Sequence, residues 1–262
     1  MICELKERGE DKAAYLKCLK VWTDKDTYRK DKWLADMSGK AKVFVAKDDE
    51  QNVVGMIQII PIEYSNCHGQ NMAFIQCLLV NFYDEAFGNK QRKGHGKALL
   101  DKAVEYSKSI GVDALVAWGT EYNGMETAKW YKRQGFLVLE VLSYTALLWM
   151  PFKDVSKPSF VKRRQVPQQE DKVVVSVFNN GWCTSRNTLC EQARAIASEY
   201  PQVVLKEYDT FNRDTFLKYG IMEGIYINDE EIYYDGSPFE QDMRGRIKIA
   251  IERVKETAHE AI

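Results

Sequence analysis

The spacing of apolar residues over the first 150 positions predicts a sheet with helices packed against it. Apolar or alternating runs predict strands, and apolar positions three and four residues apart predict helices. The predicted strands are 42–47, 53–60, 73–80, 113–118, 136–142 and 144–150, and the predicted helices are 10–20, 26–38, 95–110 and 124–134. Strands and helices in this order indicate an α/β or α+β fold class.

The helix expected at 95–110 is amphipathic and has a clear end. Gly111 follows its last apolar position, and glycine is a common residue directly after a helix. The residues expected to face the core are Ala98, Leu99, Ala103, Val104 and Ile110. The segment in front of this helix, by contrast, is rich in glycine and in basic side chains.

A second pattern of strands and helices follows a segment that contains several prolines. Three of the six prolines lie at positions 151, 158 and 167, and proline lacks the N–H that a helix interior or a central strand needs. We therefore expect a domain at 1–150, a linker at 151–171 and a smaller α/β domain at 172–262. In the last of these, strands are expected at 172–178, 203–209, 224–229 and 230–234, and helices at 184–199, 212–219 and 238–257.

The composition is that of a globular protein and gives no sign of a polyanionic partner. Of the 262 residues, 45% are hydrophobic and 29% are charged, and the formal net charge is −1. A near-neutral chain gives no reason to expect binding to nucleic acid or to a membrane surface. No apolar run is long enough for a transmembrane helix, and the N-terminal segment lacks the apolar core of a secretion signal.

The cysteines and histidines favour a reducing compartment and no metal site. Six cysteines in a chain of this length do not resemble a disulfide framework, so a cytoplasmic location is expected. With three histidines and no Cys/His cluster, a structural zinc site is not expected. Cys67 and His68 are adjacent, but the members of a catalytic Cys/His pair usually meet through the fold, so packing in the core or a loop is expected here.

The segment QRKGHG, residues 91–96, has the properties of an anion site. A predicted strand precedes it and a predicted helix follows, so free N–H groups and the positive end of the helix dipole would meet there. Gly94 and Gly96 would let a phosphate approach these amides without a Cβ in the way. An ordinary glycine turn before a basic surface helix is the alternative. Three cations flank the glycines: Arg92, Lys93 and Lys97.

Two motifs in this region resemble those of the GNAT superfamily of N-acetyltransferases. Gln91, Gly94 and Gly96 match its Q/R-x-x-G-x-G/A pyrophosphate-binding motif, and the later segment from Trp130-Tyr131 to Gly135-Phe136 matches its F-Y-x-x-x-G-F motif. The resemblance covers roughly residues 1–150. It implies the acyl-CoA acyltransferase fold with a mixed central sheet, and it favours the anion site over the ordinary turn.

The resemblance also implies a reaction and a set of binding residues. Acetyl-CoA is the expected cosubstrate, and its acetyl group would pass by direct attack to a primary amine of a small molecule or, as the second choice, of a protein. In the family, main-chain groups of the loop hold the pyrophosphate and the preceding strand pairs with the pantetheine. The corresponding residues are Leu78, Leu79, Val80, Gln91, Arg92, Lys93, Gly94, His95, Gly96, Lys97 and, displaced by one position from the family spacing, Asn123.

Attack by an amine requires proton transfers, for which the sequence offers several candidates. Tyr131 stands where many relatives carry the presumed general acid, and a phenol with a pKa of about 10 is protonated at neutral pH; a core tyrosine is the alternative. Glu121, directly after a predicted strand, is the first candidate for the base that deprotonates the amine. Asp84 and Glu85 are the other candidates, and each of these carboxylates could also be simply solvated.

The expected C-terminal domain places Trp182-Cys183 between a strand and a helix, as in thioredoxin-like proteins. A thiol at a helix N-terminus is acidified by the helix dipole, so Cys183 is a candidate reactive thiol. Arg186 stands where a second redox cysteine would lie, and Cys190 is two helical turns away, too far to form a disulfide within a regular helix. The segment resembles the YoaP-like domain at the C-terminus of some bacterial GNAT proteins.

Three interpretations of this domain remain open: a reactive thiol, a contact surface without turnover, and a structural or dimer-forming module. The alternative for the whole chain is a thiol-responsive sensor that binds acyl-CoA without acetyl turnover and uses Cys183. A homodimer is also an option.

Overall fold

The computed structural model describes residues 1–6, 8–19, 24–84, 88–121, 127–169, 171–232 and 239–260. It divides into two compact units, Met1–Val161 and Lys162–Ile262. None of the helices in the described ranges combines the length and the apolar composition that crossing a membrane would require.

The first unit contains most of the strands. In chain order its elements are β1 (Ile2–Glu4), α1 (Glu10–Leu16), α2 (Asp24–Asp36), β2 (Lys42–Lys47), β3 (Val53–Pro61), a 3-10 turn (Ile62–Tyr64), β4 (Cys67–His68), β5 (Met72–Val80), α3 (His95–Ser109), β6 (Ala114–Thr120), α4 (Ala128–Arg133), β7 (Leu137–Leu142), β8 (Thr145–Pro151) and β9 (Ser159–Phe160).

Seven of these strands form one mixed sheet in the order β1-β2-β3-β5-β6-β8-β7. β5 and β6 run parallel, and all the other neighbouring pairs are antiparallel. β4 and β9 pair separately as a two-stranded ribbon. The mixed α/β class expected from the sequence is therefore confirmed, and the one parallel pair lies in the middle of the sheet.

Both faces of this sheet are covered, because alternate residues of a strand point to opposite sides. On β2, Phe44 and Ala46 pack in the cluster that contains Leu99 of α3, whereas Val43 and Val45 pack in the cluster that contains Tyr15 of α1. Burial on two sides explains why the central strands are nearly continuous in apolar residues.

The structure corrects several details of the sequence predictions. In α3, Ala98 and Ile110 are exposed, and Ile110 is the C-cap residue beyond the last turn. The buried residues of this helix are Leu99, Leu100, Ala103 and Ser107. The first helix ends at Leu16 instead of continuing to position 20, because Cys18 and Leu19 have positive φ angles of 49° and 60°. Strands β1, β4 and β9 were not predicted, since two or three residues show no periodicity.

The second unit is a smaller sheet with helices. Its elements are β10 (Val173–Asn179), α5 (Thr184–Ser198), β11 (Val203–Asp209), α6 (Arg213–Tyr219), β12 (Gly224–Ile227), β13 (Glu230–Glu231) and α7 (Phe239–Glu260). The strand order is β11-β10-β12-β13, with β10 and β11 parallel and the other pairs antiparallel. One face of β10 packs with α5 and α7, and Phe178 on the other face packs with Tyr219 and Tyr226.

Candidate active site

The parallel strands β5 and β6 separate part-way along their length. Their pairing runs from Met72–Ala114 to Ile75–Ala117 and stops there, although both strands continue. At the same point the register between β5 and β3 shifts, which is the sign of a β-bulge. Beyond Ile75, β5 therefore pairs with β3 and diverges from β6.

Gln76 lies where the two strands begin to diverge. The indole Nε1 of Trp118 on β6 donates a hydrogen bond of 3.1 Å to the Gln76 carbonyl, so one contact still bridges the gap. The side chain of Gln76 is 2% exposed, and its Oε1 accepts from Gln58 Nε2 at 2.8 Å. Gln58 Oε1 in turn accepts from the hydroxyl of Tyr15.

This chain of hydrogen bonds fixes the direction of the Gln76 amide. With its oxygen bonded to Gln58, the amide presents Nε2, which is buried and has no hydrogen-bond partner in the described part of the chain. An unsatisfied buried donor costs about 1–3 kcal/mol, so a buried amide held in this orientation calls for an explanation. Neither glutamine was identified from the sequence, since each lies within an otherwise apolar strand and has no local motif.

The glycine segment forms a turn that ends at the N-terminus of α3. Gly94 is the N-cap residue in the left-handed conformation, with φ 85°, and no side chain caps the helix. The first i to i−4 hydrogen bond of the helix runs from Ala98 N to Gly94 O at 3.0 Å. The N–H groups of His95, Gly96 and Lys97 precede this bond and so have no carbonyl partner within the helix.

A cavity of about 440 Å³ lies between this helix N-terminus and the diverging part of β5. A Cβ built on Gly96 would lie 3.6 Å from Trp130 Cζ2, 3.6 Å from Val80 Cγ2 and 4.0 Å from Leu78 Cδ2, so this glycine forms part of the cavity wall. The lining residues are Leu78, Leu79, Val80, Phe82, Lys90, Gln91, Arg92, Gly94, His95, Gly96, Lys97, Thr127, Trp130, Tyr131 and Arg133.

The charged residues that line this cavity are all basic. Lys90 is in an ion pair with Asp48 at 3.1 Å, and Lys97 with Asp101 at 2.6 Å. Arg92 and Arg133, in contrast, have no ion-pair partner among the described residues. Together with the helix N-terminus they give this side of the cavity a positive potential suited to an anion.

His95 adds less charge to the cavity than its neighbours. Burial lowers the pKa of its imidazole below the usual value, and the N-terminal amine and Lys93 act in the same direction, while Asp48 opposes them. The neutral form is therefore favoured near pH 7. What His95 offers an anion is thus its main-chain N–H.

Residues 9–136 match the model of one protein family, described as the acetyltransferase (GNAT) family. This segment is a GNAT acetyltransferase domain. The first unit thus contains an acyltransferase, as the two sequence motifs suggested. No curated protein sequence matches the chain.

Several solved structures are similar to the GNAT domain at low sequence identity. Aminoglycoside 6'-acetyltransferase type Ii is 13% identical, with a TM-score of 0.45 and coverage of 60% of this chain and 99% of that one. YhbS from Escherichia coli, solved in complex with CoA, is 18% identical, with a TM-score of 0.40 and coverage of 59% and 82%. A GNAT acetyltransferase from Elizabethkingia anophelis, solved with acetyl-CoA, is 16% identical, with a TM-score of 0.41 and coverage of 58% and 97%.

Most of the binding residues expected from the resemblance line the cavity of the GNAT domain. Of that set, Lys93 lies in the glycine turn and does not line the cavity, and Asn123 lies outside the described residues. Several other lining residues were not expected from the sequence to have a binding role. These are Phe82, Lys90, Thr127, Trp130 and Arg133.

The candidate catalytic residues differ in their positions. Tyr131 is 1% exposed, lines the cavity and packs edge-on against Trp130 and Phe136, with ring centroids 5.1 and 5.2 Å away. Glu121 directly follows β6, is exposed and does not line the cavity; its N–H donates to the Tyr144 carbonyl at 3.0 Å. Asp84 is exposed, and Glu85 lies outside the described residues.

In the second unit, Cys183 is the N-cap residue of α5 and is partly buried. All six cysteines are free of disulfides, and Cys190 is buried in the core of this unit, as expected. In the same unit, Glu223 has a carboxyl oxygen that is buried and without a hydrogen-bond partner in the described residues. Burial raises the pKa of Glu223 to about 8, although the charge of Arg186 acts in the opposite direction.

Proposed function

We propose that the GNAT domain transfers the acetyl group of acetyl-CoA to a primary amine of a small molecule. The observation that carries this proposal is the cavity that opens both on the amides at the start of α3 and on the diverging part of β5. Such a site offers main-chain groups to a ligand that has an anionic end and an amide-containing arm, and CoA has both.

The pyrophosphate of CoA would bind to the glycine turn. The N–H groups of His95, Gly96 and Lys97 have no helical acceptor, and Gly94 holds the turn in the left-handed conformation that directs them outward. Arg92 would add a charge-assisted hydrogen bond to the phosphate oxygens.

The pantetheine arm would lie beside the residues of β5 that no longer pair with β6. Leu78 to Val80 line the cavity, and an extended ligand there would take the place of a neighbouring strand. The thioester would then lie toward Ile75 and Gln76, where the strands begin to diverge. Gln76 does not itself line the cavity, and its buried amide would become a donor for the thioester carbonyl oxygen, which gains negative charge as the amine attacks.

The reaction consists of one displacement. The amine nitrogen attacks the thioester carbonyl carbon, the C–S bond breaks, and the sulfur leaves as a thiolate. Tyr131 would supply a proton to this thiolate, and the proton of the amine would pass to water or to a base, for which Glu121 stays a prediction. Because Glu121 is exposed and outside the cavity lining, it would act through water.

The C-terminal domain is proposed to be thioredoxin-like and of the YoaP-like type. The order β11-β10-β12-β13, with α5 following β10, supports this assignment.

Free cysteines throughout the chain support a cytoplasmic location. The position of Cys183 at the start of α5 favours the alternative function, a thiol-responsive sensor without turnover.

The test of this function is release of CoA thiol from acetyl-CoA with a panel of small amines. Tyr131→Phe should lower kcat about a hundredfold, the range of a lost general acid, and leave the Kd for CoA unchanged. Tyr106→Phe removes a hydroxyl from a partly buried tyrosine of α3 that does not line the cavity, and it serves as the matched control. CoA binding without turnover of any amine would instead favour the sensor, for which a glutaredoxin-type assay of Cys183→Ser is the next experiment.

A further inference from the structure

Lys30 of α2 is a buried lysine whose amine contacts a cysteine. Its side chain is 1% exposed, and Nζ lies 2.8 Å from the Tyr15 carbonyl oxygen, 3.2 Å from Cys18 Sγ and 3.9 Å above the ring of Tyr15. A buried lysine is uncommon, and this one has no carboxylate partner among the described residues. Its amine instead contacts a carbonyl oxygen, an aromatic face and a sulfur atom.

The backbone holds the two reactive atoms together. Cys18 and the following Leu19 both have positive φ angles, 49° and 60°, at the end of α1. Hydrogen bonds from Cys18 N to Tyr15 O, 3.0 Å, and from Leu19 N to Ala14 O, 3.1 Å, close this turn. Non-glycine residues adopt this conformation at a cost, so the surrounding structure must enforce it. The turn directs the Cys18 sulfur toward α2.

The sulfur and the nitrogen also differ in access to solvent. Cys18 is partly exposed, so a small oxidant can reach its sulfur, whereas Lys30 is buried and its amine is confined by three contacts. A charged N–H donor beside a sulfur atom stabilises the thiolate, which is the form of cysteine that attacks an electrophile. Tyr15 therefore positions the amine, and the amine assists the thiol.

We propose that Cys18 and Lys30 form a redox modification site in which peroxide links the two side chains by a sulfur–nitrogen bond. In the first step Cys18 sulfur attacks hydrogen peroxide, the O–O bond breaks, and sulfenic acid and water form. The sulfur is oxidised and the peroxide is reduced. In the second step the Lys30 nitrogen displaces the sulfenic oxygen as water, an S–N bond forms, and the ammonium proton passes to solvent.

This link would join the end of α1 to α2 covalently. Two equivalents of a thiol reductant reverse it, because they regenerate the thiol and the amine and become a disulfide. Among the described residues, Lys30 is the lysine whose amine contacts the Cys18 sulfur, so it is the one expected in the cross-link. The proposal does not depend on the acetyltransferase activity, because it concerns only these two side chains and peroxide.

The experiment is intact and peptide mass spectrometry of the full chain after treatment with hydrogen peroxide. We expect a species lighter by two hydrogens than the reduced protein, with Cys18 and Lys30 in one cross-linked peptide, and its loss after dithiothreitol. Cys18→Ser should abolish the cross-link. Cys3→Ser, which removes another partly buried thiol of the same unit, should retain it.

Each other outcome counts against the proposal. A product heavier by one or more oxygens at Cys18, with a normal Lys30, would show that the amine does not react. A cross-link that contains an additional oxygen would contradict the S–N bond. Lys30→Met should accumulate oxygen-containing Cys18 products without a cross-link; if this variant does not fold, the wild-type peptide map and Cys18→Ser still decide.

Discussion

Gly96 is the position at which the proposed CoA site can be tested most directly. It is the second residue of α3, and a Cβ there would lie in ordinary contact, 3.6 Å, with Trp130 and Val80. Gly96→Ala therefore fits the protein itself without a clash. What it changes is the space in front of the helix amides, where the phosphates of CoA are proposed to bind.

The magnitudes follow from this geometry. Alanine is favoured over glycine in a helix by up to about 1 kcal/mol, so Gly96→Ala should leave the unfolding free energy unchanged or raise it by that amount. A phosphate kept away from one amide would lose a charge-assisted hydrogen bond, worth about 1.5–3 kcal/mol. The Kd for CoA should therefore rise about tenfold to a hundredfold, while the unfolding free energy stays unchanged or rises.

Gly94 and Gly111 supply the matched comparisons. Both have positive φ angles, 85° and 77°, and a Cβ on either would meet no atom within 4 Å, so alanine costs only backbone strain, about 1–2 kcal/mol. Gly111 lies at the far end of α3, so Gly111→Ala should lower stability and leave the Kd for CoA unchanged. Gly94→Ala should lower stability equally and also weaken CoA, because it displaces the turn.

Thermal unfolding and calorimetric titration with CoA measure the two quantities separately. If Gly96→Ala and Gly96→Leu both bind CoA with the wild-type Kd, the amides at the start of α3 do not hold its phosphates. If all three alanine variants lose CoA affinity in proportion to lost stability, the effect comes from general destabilisation and the reasoning from cavity geometry fails.

Three further predictions concern other parts of the chain. Gln76→Leu should lower kcat about tenfold to a hundredfold through loss of one donor to the thioester, with the Kd for CoA retained; an unchanged kcat would make the amide purely structural. The pKa of Glu223 is raised from 4.5 to about 8, so between these pH values the folded state keeps a proton that the unfolded state has lost. The free energy of unfolding should therefore fall as pH rises through this range, by at most about 5 kcal/mol. Glu223→Gln should remove this slope in unfolding measured at a series of pH values. Gly220→Ala should destabilise the second unit by about 3 kcal/mol, because φ is 66° and the Cβ would lie 2.6 Å from the Lys162 carbonyl carbon. The control is Gly245→Ala, whose Cβ would have no atom within 4 Å, so the free energy of unfolding in denaturant should be unchanged or slightly higher.

The sequence alone was sufficient to locate most of the longer helices and strands and the glycine turn. Strand 203–209 was predicted with its observed limits, and α3 and α5 each to within one residue, because side chains repeat with periods of two or 3.6 residues. Gly94 was identified because it lies in a glycine-containing segment between a predicted strand and a predicted helix, and the structure shows it in the left-handed conformation. These properties depend on neighbours in the chain, so a local pattern can reveal them.

The tertiary structure decided which distant residues meet. The end of β5–β6 pairing at Ile75, the Tyr15–Gln58–Gln76 hydrogen bonds and the Cys18–Lys30 contact all join elements that are separate in the sequence. A glutamine in an apolar strand, or a lysine in a polar helix, has the same local pattern whether it is buried with a partner or solvated. Only strand order, register and helix packing determine its environment, because these arise from contacts between residues far apart in the chain.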